Sequence, residues 1–307
     1  MAHITAGDLV PLMHWTESTY GTPTGNPIYY ADIAEGGGIT PTDTLNPYIS
    51  WRYGNRSFDP INYVNQQLDA GFTASLEVRD REDWPNIVKY AWGAQSPNFY
   101  PETKPYGALP SRSEAFMVRT GLSTYEGRRY TGCKTDSLTI SCDEPGGIVK
   151  FEETVLASTA QWYNTPPAGL SSGDWQSESL AALQWTGPVT IAGAEVYPQS
   201  FKLTINNNLE RVRVPGSPAY TGALIEGRRE IIFEIELWME DLAYMRSAMD
   251  TAAESTRLVV FELGEQNPYE VHVSGIIMRE GQHSTLIQDK QKQTVRLRCN
   301  GAYMEPA

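Results

Sequence analysis

The chain has 307 residues, of which 37 are Asp or Glu and 24 are Lys or Arg, giving a formal net charge of −13. The length corresponds to about two domains, each able to bury a core, and the acidity is even: 12 basic and 19 acidic residues up to Glu153, 12 and 18 after it. A surface of this sign repels phosphates, which excludes tight nucleic-acid binding through a basic patch. No apolar run approaches the ~20 residues that span a bilayer, so no membrane partner is expected. The opening Met1-Ala2-His3-Ile4-Thr5 lacks the basic-then-hydrophobic pattern of a signal peptide. Cys133, Cys142 and Cys299 are too few for a disulfide framework and form no C-x-x-C pair. They read as small buried apolar residues of a chain made in a reducing cytoplasm.

Residues 1–46 are rich in Gly, Pro and Thr, as in Gly21-Thr22-Pro23-Thr24-Gly25-Asn26-Pro27, and predict an extended arm or long loop. A first module is expected over 47–160. Its strand Phe72–Val78 is followed by Trp84, Val88 and Ala91 at i, i+4 and i+7, a short helix with Pro85 tolerated in its first turn. Leu138, Ile140 and Cys142 then alternate with Thr139 and Ser141. Residues 161–188, containing Pro166-Pro167 and Ser171-Ser172-Gly173, read as a linker. In a second module over 189–307, Phe201, Leu203 and Ile205 alternate with Lys202, Thr204 and Asn206. Phe233, Ile235 and Leu237 alternate with Glu234 and Glu236, and Val271 and Val273 flank His272. Period two with one apolar face marks antiparallel strands covering a core on one side. Trp238, Leu242, Met245 and Met249, at i, i+4, i+7 and i+11, predict a second helix anchored in the core.

The two modules read as an internal repeat. Tyr48–Arg56, Gly71 with its strand and the Trp84 helix parallel Phe201–Leu209, Gly227 with its strand and the Trp238 helix. Later, Gly132-Cys133 parallels Gly275-Ile276, and each copy closes on a strand, Ile148–Leu156 and Thr294–Cys299.

No catalytic, cofactor or metal motif stands out. His3, His14, His272 and His283 are isolated from one another and from the cysteines at metal-ligand spacings, and His272 reads as a solvated surface residue. Glu152-Glu153, Glu240-Asp241 and Glu234/Glu236 are conceivable acid–base pairs. The last two lie about 6–7 Å apart on one strand face, a glycosidase-like separation, but alternating Glu is ordinary on a wet strand face. The chain is therefore read as no enzyme.

Gly132–Glu144, followed by Gly146-Gly147-Ile148-Val149-Lys150-Phe151-Glu152-Glu153, and Phe201–Glu210, followed by Gly227-Arg228-Arg229-Glu230, resemble two signature blocks of the phage tail tube protein family of long-tailed phages. The resemblance implies a mainly β fold: two tandem β-sandwich or barrel modules, each with one flanking helix, whose inner sheets build a ring-shaped β-barrel. It implies a virion protein, synthesised in the host cytoplasm, that stacks as rings into a hollow tube conducting double-stranded DNA. Two modules per chain suggest a ring of three chains, with six as the alternative. The implied partners are other copies, a tape measure protein, tail terminator and distal tail proteins, and DNA in transient passage. Glu77, Arg79, Glu152, Glu234 and Glu236 are candidates to line the lumen, where an acidic wall prevents adhesion of DNA. A carbohydrate- or receptor-binding β-sandwich of the tail tip is the competing reading, and an acidic glycoside hydrolase the third.

Overall fold

A computed structural model describes residues 9–29, 31–33, 38–49, 63–78, 80, 84–93, 109–119, 125–164, 182–213, 221–238, 257–277 and 292–307. The elements in chain order are β1 (Leu9–Thr19), β2 (Thr22–Tyr29), β3 (Ala31–Ile33), β4 (Ile39–Pro41), β5 (Thr44–Ile49), β6 (Tyr63–Val78), α1 (Pro85–Trp92), β7 (Arg112–Arg119), β8 (Tyr125–Cys142), β9 (Lys150–Ala157) and β10 (Thr159–Tyr163). They continue as β11 (Val189–Ile191), β12 (Ala194–Val196), β13 (Pro198–Asn206), β14 (Glu210–Arg213), β15 (Thr221–Ile225), β16 (Glu230–Trp238), β17 (Arg257–Leu263), β18 (Tyr269–Ile277) and β19 (Lys292–Pro306). The protein is thus mainly β, with antiparallel sheets that close into no barrel among the described residues.

The alternation read from the sequence is the burial pattern of the sheet. Leu138, Ile140 and Cys142 on β8, Phe201, Leu203 and Ile205 on β13, and Phe233, Ile235 and Leu237 on β16 are all buried. Their polar neighbours take the other face, as the period of two requires. These side chains join Phe72, Leu76, Phe151, Phe261, Val271 and Leu297 in one core that runs through both halves of the chain.

Two strand sets share one order. β4, β6, β9, β8 and β7 are neighbours in that sequence, and so are β13, β16, β19, β18 and β17. In each set the last strand in the chain is inserted between the second and the fourth. The sets meet where the carboxyl-terminal half of β8 pairs with β13, from Ser137 opposite Asn206 to Cys142 opposite Phe201. Gly71 and Gly227 stand where strands part in the two sets. A Cβ on Gly71 would lie 2.6 Å from the Val155 carbonyl oxygen, and one on Gly227 would lie 2.4 Å from that of Asn208. Only glycine permits these approaches.

Helix α1 begins as expected, with Pro85 in its first turn, and Trp84 and Val88 are wholly buried. Its ends are held from the second half of the chain. The Trp84 indole donates to the Asn267 carbonyl at 3.2 Å, while Arg229 and Asn207 donate to the carbonyls of Trp92 and Ala91 at 2.7 and 2.9 Å. Those acceptors are among the carbonyls that a helix leaves unsatisfied at its carboxyl end. Close by, the buried Asp80 carboxylate accepts the backbone N–H groups of Glu265, Gln266 and Asn267 at 2.7, 2.7 and 3.1 Å.

Three expectations change. Residues 9–49, read mostly as an arm or loop, form five strands. The β1–β2 hairpin turns at Gly21, whose φ is +77°, and β3 and β4 lie along β6. Gly- and Pro-rich composition hid them because backbone pairing with a longer strand needs no apolar periodicity. The strand beside β6 in the place that β13 takes beside β16 is β3–β4; of the Tyr48–Arg56 segment, Tyr48 and Ile49 end β5 farther along β6, and 50–56 lie outside the described residues. The linker reading of 161–188 is too wide: β10 runs to Tyr163, and Leu183 and Trp185 are buried, with single bridges from Gln184 to Ile148 and from Trp185 to Leu263. Trp238 is the last residue of strand β16; the second expected helix, with Leu242, Met245 and Met249, lies outside the described residues. No helix among the described residues is long and apolar enough to cross a membrane.

Candidate functional site

The polar face of the central sheet gathers the lumen candidates. Residues directly opposite one another on paired strands share a face, so rows can be followed across the ladders. One row runs Glu77, Lys150, Ser141, Lys202, Glu234, Arg296 through β6, β9, β8, β13, β16 and β19. The next runs Ser75, Glu152, Thr139, Thr204, Ile232, Arg298 over the same strands. Glu236 belongs to a third, between Ser200 and Thr294. Glu77, Glu152, Glu234 and Glu236 thus lie on one face, which crosses from the first strand set into the second. Arg79 lies outside the described residues.

This face carries charges of both signs. Glu77, Glu152, Glu230, Glu234 and Glu236, with Asp32 at the register position opposite Glu77, share it with Lys150, Lys202, Arg296 and Arg298, so acids outnumber bases only modestly and several charges are tied in pairs. Arg296 Nε stands 2.9 Å from Glu234 and Arg298 3.4 Å from Glu230. Lys150 reaches Asp143 at 3.0 Å. Over the first strand set an open depression is lined mostly by hydroxyls, Thr40, Thr73, Ser75, Ser137 and Thr139, with Glu152. The sequence reading named the carboxylates and passed over their cationic neighbours. Lys202 had the same signal, a polar position in an alternating strand, but its place between Ser141 and Glu234 follows only from the register.

A second group is buried. Arg112 on β7, 1% exposed, donates through Nε to Glu114 at 2.8 Å, through a terminal nitrogen to Thr135 at 2.8 Å, and to Glu153 on β9. Its guanidinium also lies over the Tyr90 ring, 4.8 Å from the centroid. His14 on β1 bonds the Tyr90 hydroxyl at 2.9 Å. Burial pulls the imidazole below its ordinary value against the pull of Glu114. Burial likewise pushes Glu153 up, outweighing Arg112. For Glu114 burial is overcome by Arg112 and His14 together, which hold the carboxyl below its usual range. Burial thus favours the neutral forms of His14 and Glu153, while Arg112 and His14 favour the ionised form of Glu114. The group ties the first strand to α1, β7, β8 and β9, with the side chains of His14, Arg112, Glu114 and Glu153 all buried.

The sign for Glu153 follows from linkage. A carboxyl that holds its proton more tightly when folded favours the fold while protonated. That advantage disappears as pH rises from the ordinary carboxylate range through the raised folded value. Glu153→Gln keeps a neutral group there at every pH, so its stability relative to the parent should climb from pH 4.5 to 7.5. Urea denaturation at both pH values checks this; a constant difference would show that Glu153 titrates normally.

His272, expected on the surface, is 8% exposed. Its Nε2 bonds Glu270 at 3.0 Å and lies 3.1 Å from Glu305, and its ring stacks on Tyr303 with centroids 4.2 Å apart. Glu305 comes from β19, which no sequence spacing reveals. Among the described residues these three have donor atoms within 4.8 Å of one another and are a set that could hold a metal ion. Cys133 and Cys142 are buried and Cys299 half-buried, all as free thiols; burial pushes Cys133 and Cys142 up and Cys299 up to about 12, which disfavours the thiolate.

Among the described residues every strand pairing is antiparallel, and several charges of the wet sheet face are tied in pairs. The model of a family described as phage tail tube protein matches residues 10–271, and the chain belongs to that family. No curated protein matches it. Membership makes it a structural component of the phage tail that assembles with its own kind and meets other tail proteins.

Proposed function

We propose that this chain is the major tail tube subunit, that it holds two copies of one β-module, and that three chains make a pseudo-sixfold ring. Rings stack by contacts that do not close on themselves and so extend into a hollow tube, capped and measured by terminator, distal tail and tape measure proteins. The observation that carries this reading is the shared strand order of the two sets, joined edge to edge through β8 and β13. A subunit that already joins two modules through their sheets is suited to continuing that sheet around a ring. Purified protein should form rings or tubes under negative stain, with three chains per ring by mass; a stable monomer at all concentrations would overturn the reading.

The polar face is the proposed wall of the channel. DNA in transit meets hydroxyls and paired charges rather than a field that binds it, since only net cationic surface gains from releasing the counterions of the duplex. The sequence reading invoked repulsion by an acidic wall; the slight acidic excess and the paired charges of the described residues both favour low adhesion. Tails carrying Glu152→Lys together with Glu234→Lys should assemble and yet eject DNA more slowly, increasingly so as salt is lowered. Ejection followed by fluorescence at two salt concentrations checks this. Unchanged kinetics would place these residues away from the channel.

A further inference from the structure

We propose that one chain joins the next by a copy of its own internal ladder: β18, from Ile276 onward, pairs antiparallel with β4 and the adjoining Thr42 of a second copy. This rests on the two-module reading and names the contact that closes its ring.

The internal joint is the template. The β7 ladder along β8 ends with Arg112 opposite Cys133. Beyond it β8 offers the same edge to β13, from Ser137 opposite Asn206 onward. In the second set, the β17 ladder along β18 ends with Arg257 opposite Gly275. Beyond it, Ile276 and Ile277 pair with Arg298 and Leu297 of β19, and no ladder among the described residues takes their other edge. On the receiving side, β13 lies between β16 and β8. Its positional counterpart β4 lies along β6, and its other edge likewise carries no ladder among the described residues. Among the described residues each chain therefore presents one edge of each kind, at opposite ends of the same sheet.

The register follows from the ladders. Phe72, Ala74 and Leu76 face Val155, Glu153 and Phe151 as Ile231, Phe233 and Ile235 face Cys299, Leu297 and Val295. Carried outward on the β18 side, Ile276 opposite Arg298 takes the place of Ser137 opposite Thr154. On the receiving side, Pro41 opposite Phe72 takes the place of Ile205 opposite Ile231, which puts Thr42 where Asn206 stands. Since Ser137 faces Asn206, Ile276 of one chain faces Thr42 of the next, and Ile277 faces Pro41. Ile276 is an apolar side chain left 37% exposed on the polar face, and a strand laid beside it would cover it. Pro41 removes one N–H donor from the receiving edge, a device that discourages pairing with arbitrary strands. The contact is head-to-tail, so it closes into a ring at a fixed number of chains.

Directly opposed residues of antiparallel strands have Cα atoms about 4.5–5.5 Å apart, within disulfide reach. Assembled protein carrying Thr42→Cys and Ile276→Cys, with Cys299→Ala to remove the half-buried thiol, should shift on oxidation from monomer to covalent dimer and trimer. Neither single cysteine should do so. A second pair guards against a variant that fails to assemble: Ile276→Lys alone should abolish rings while leaving a folded monomer, and adding Thr42→Glu should restore them. If wild-type rings form but neither cross-linking nor rescue occurs, this joint is wrong and the tube reading survives. If wild-type protein makes no rings, both fall.

Discussion

Replacing Arg112 by methionine should destabilise the protein by about 3–5 kcal/mol, the cost of removing one partner from a buried ion pair. Methionine fills much of the same volume, so the loss is electrostatic rather than a cavity. Glu114 is wholly buried and Glu153 2% exposed, and both take hydrogen bonds from this guanidinium. Without it, Glu114 loses the main attraction that offsets its burial. Glu153 retains the Thr135 hydroxyl at 2.5 Å, so its remedy is to stay protonated, and the defect should be milder at pH 5 than at pH 8. Urea unfolding across that range measures both effects. A loss below about 1 kcal/mol, the scale of an exposed pair, would show that the cluster is solvated.

Phe233→Ala should cost about 3–5 kcal/mol, the range for deleting a fully buried phenylalanine. Its ring stacks on Phe261 and Phe201 at centroid distances of 5.5 and 6.5 Å, and Phe201 packs in turn on Trp185 at 5.0 Å. The cavity would open beneath β13 and β16, next to the joint with β8. Phe233→Leu, which refills most of the space, should recover more than half of the loss by thermal melting. Equal losses for the two variants would mean that the cluster does not pack as a unit.

Which face of each strand is buried was legible wherever the chain alternates, because period two maps directly onto the two sides of a sheet. Leu203 and Thr204, or Ile235 and Glu236, needed nothing more. The helix at Trp84 was legible from spacing together with Pro85. Strand partners were not. Local sequence is silent on whether Lys202 stands beside Glu234 or whether Glu305 meets His272, since these pairings join segments tens of residues apart. The buried cluster escaped for the same reason: His14, Arg112, Glu114 and Glu153 come from three strands, β1, β7 and β9, and each alone looks like a surface charge. The strands of residues 9–49 escaped because β3 and β4 are held by backbone bonds to β6 rather than by a hydrophobic pattern of their own.

The seam between β8 and β13 bears on how little the covalent connection matters. Between β10 and β11 the chain spans 164–188, yet the two halves are held by a six-residue ladder, by Asp80 gripping three backbone amides, and by Arg229 and Asn207 closing the end of α1. A protease cut within residues 165–181 should leave one particle that sediments as before and separates only in denaturant. Two polypeptides expressed separately, ending and beginning there, should find each other in the same cell. The peptide linkage serves to deliver the halves in equal number, and the sheet keeps them together afterwards.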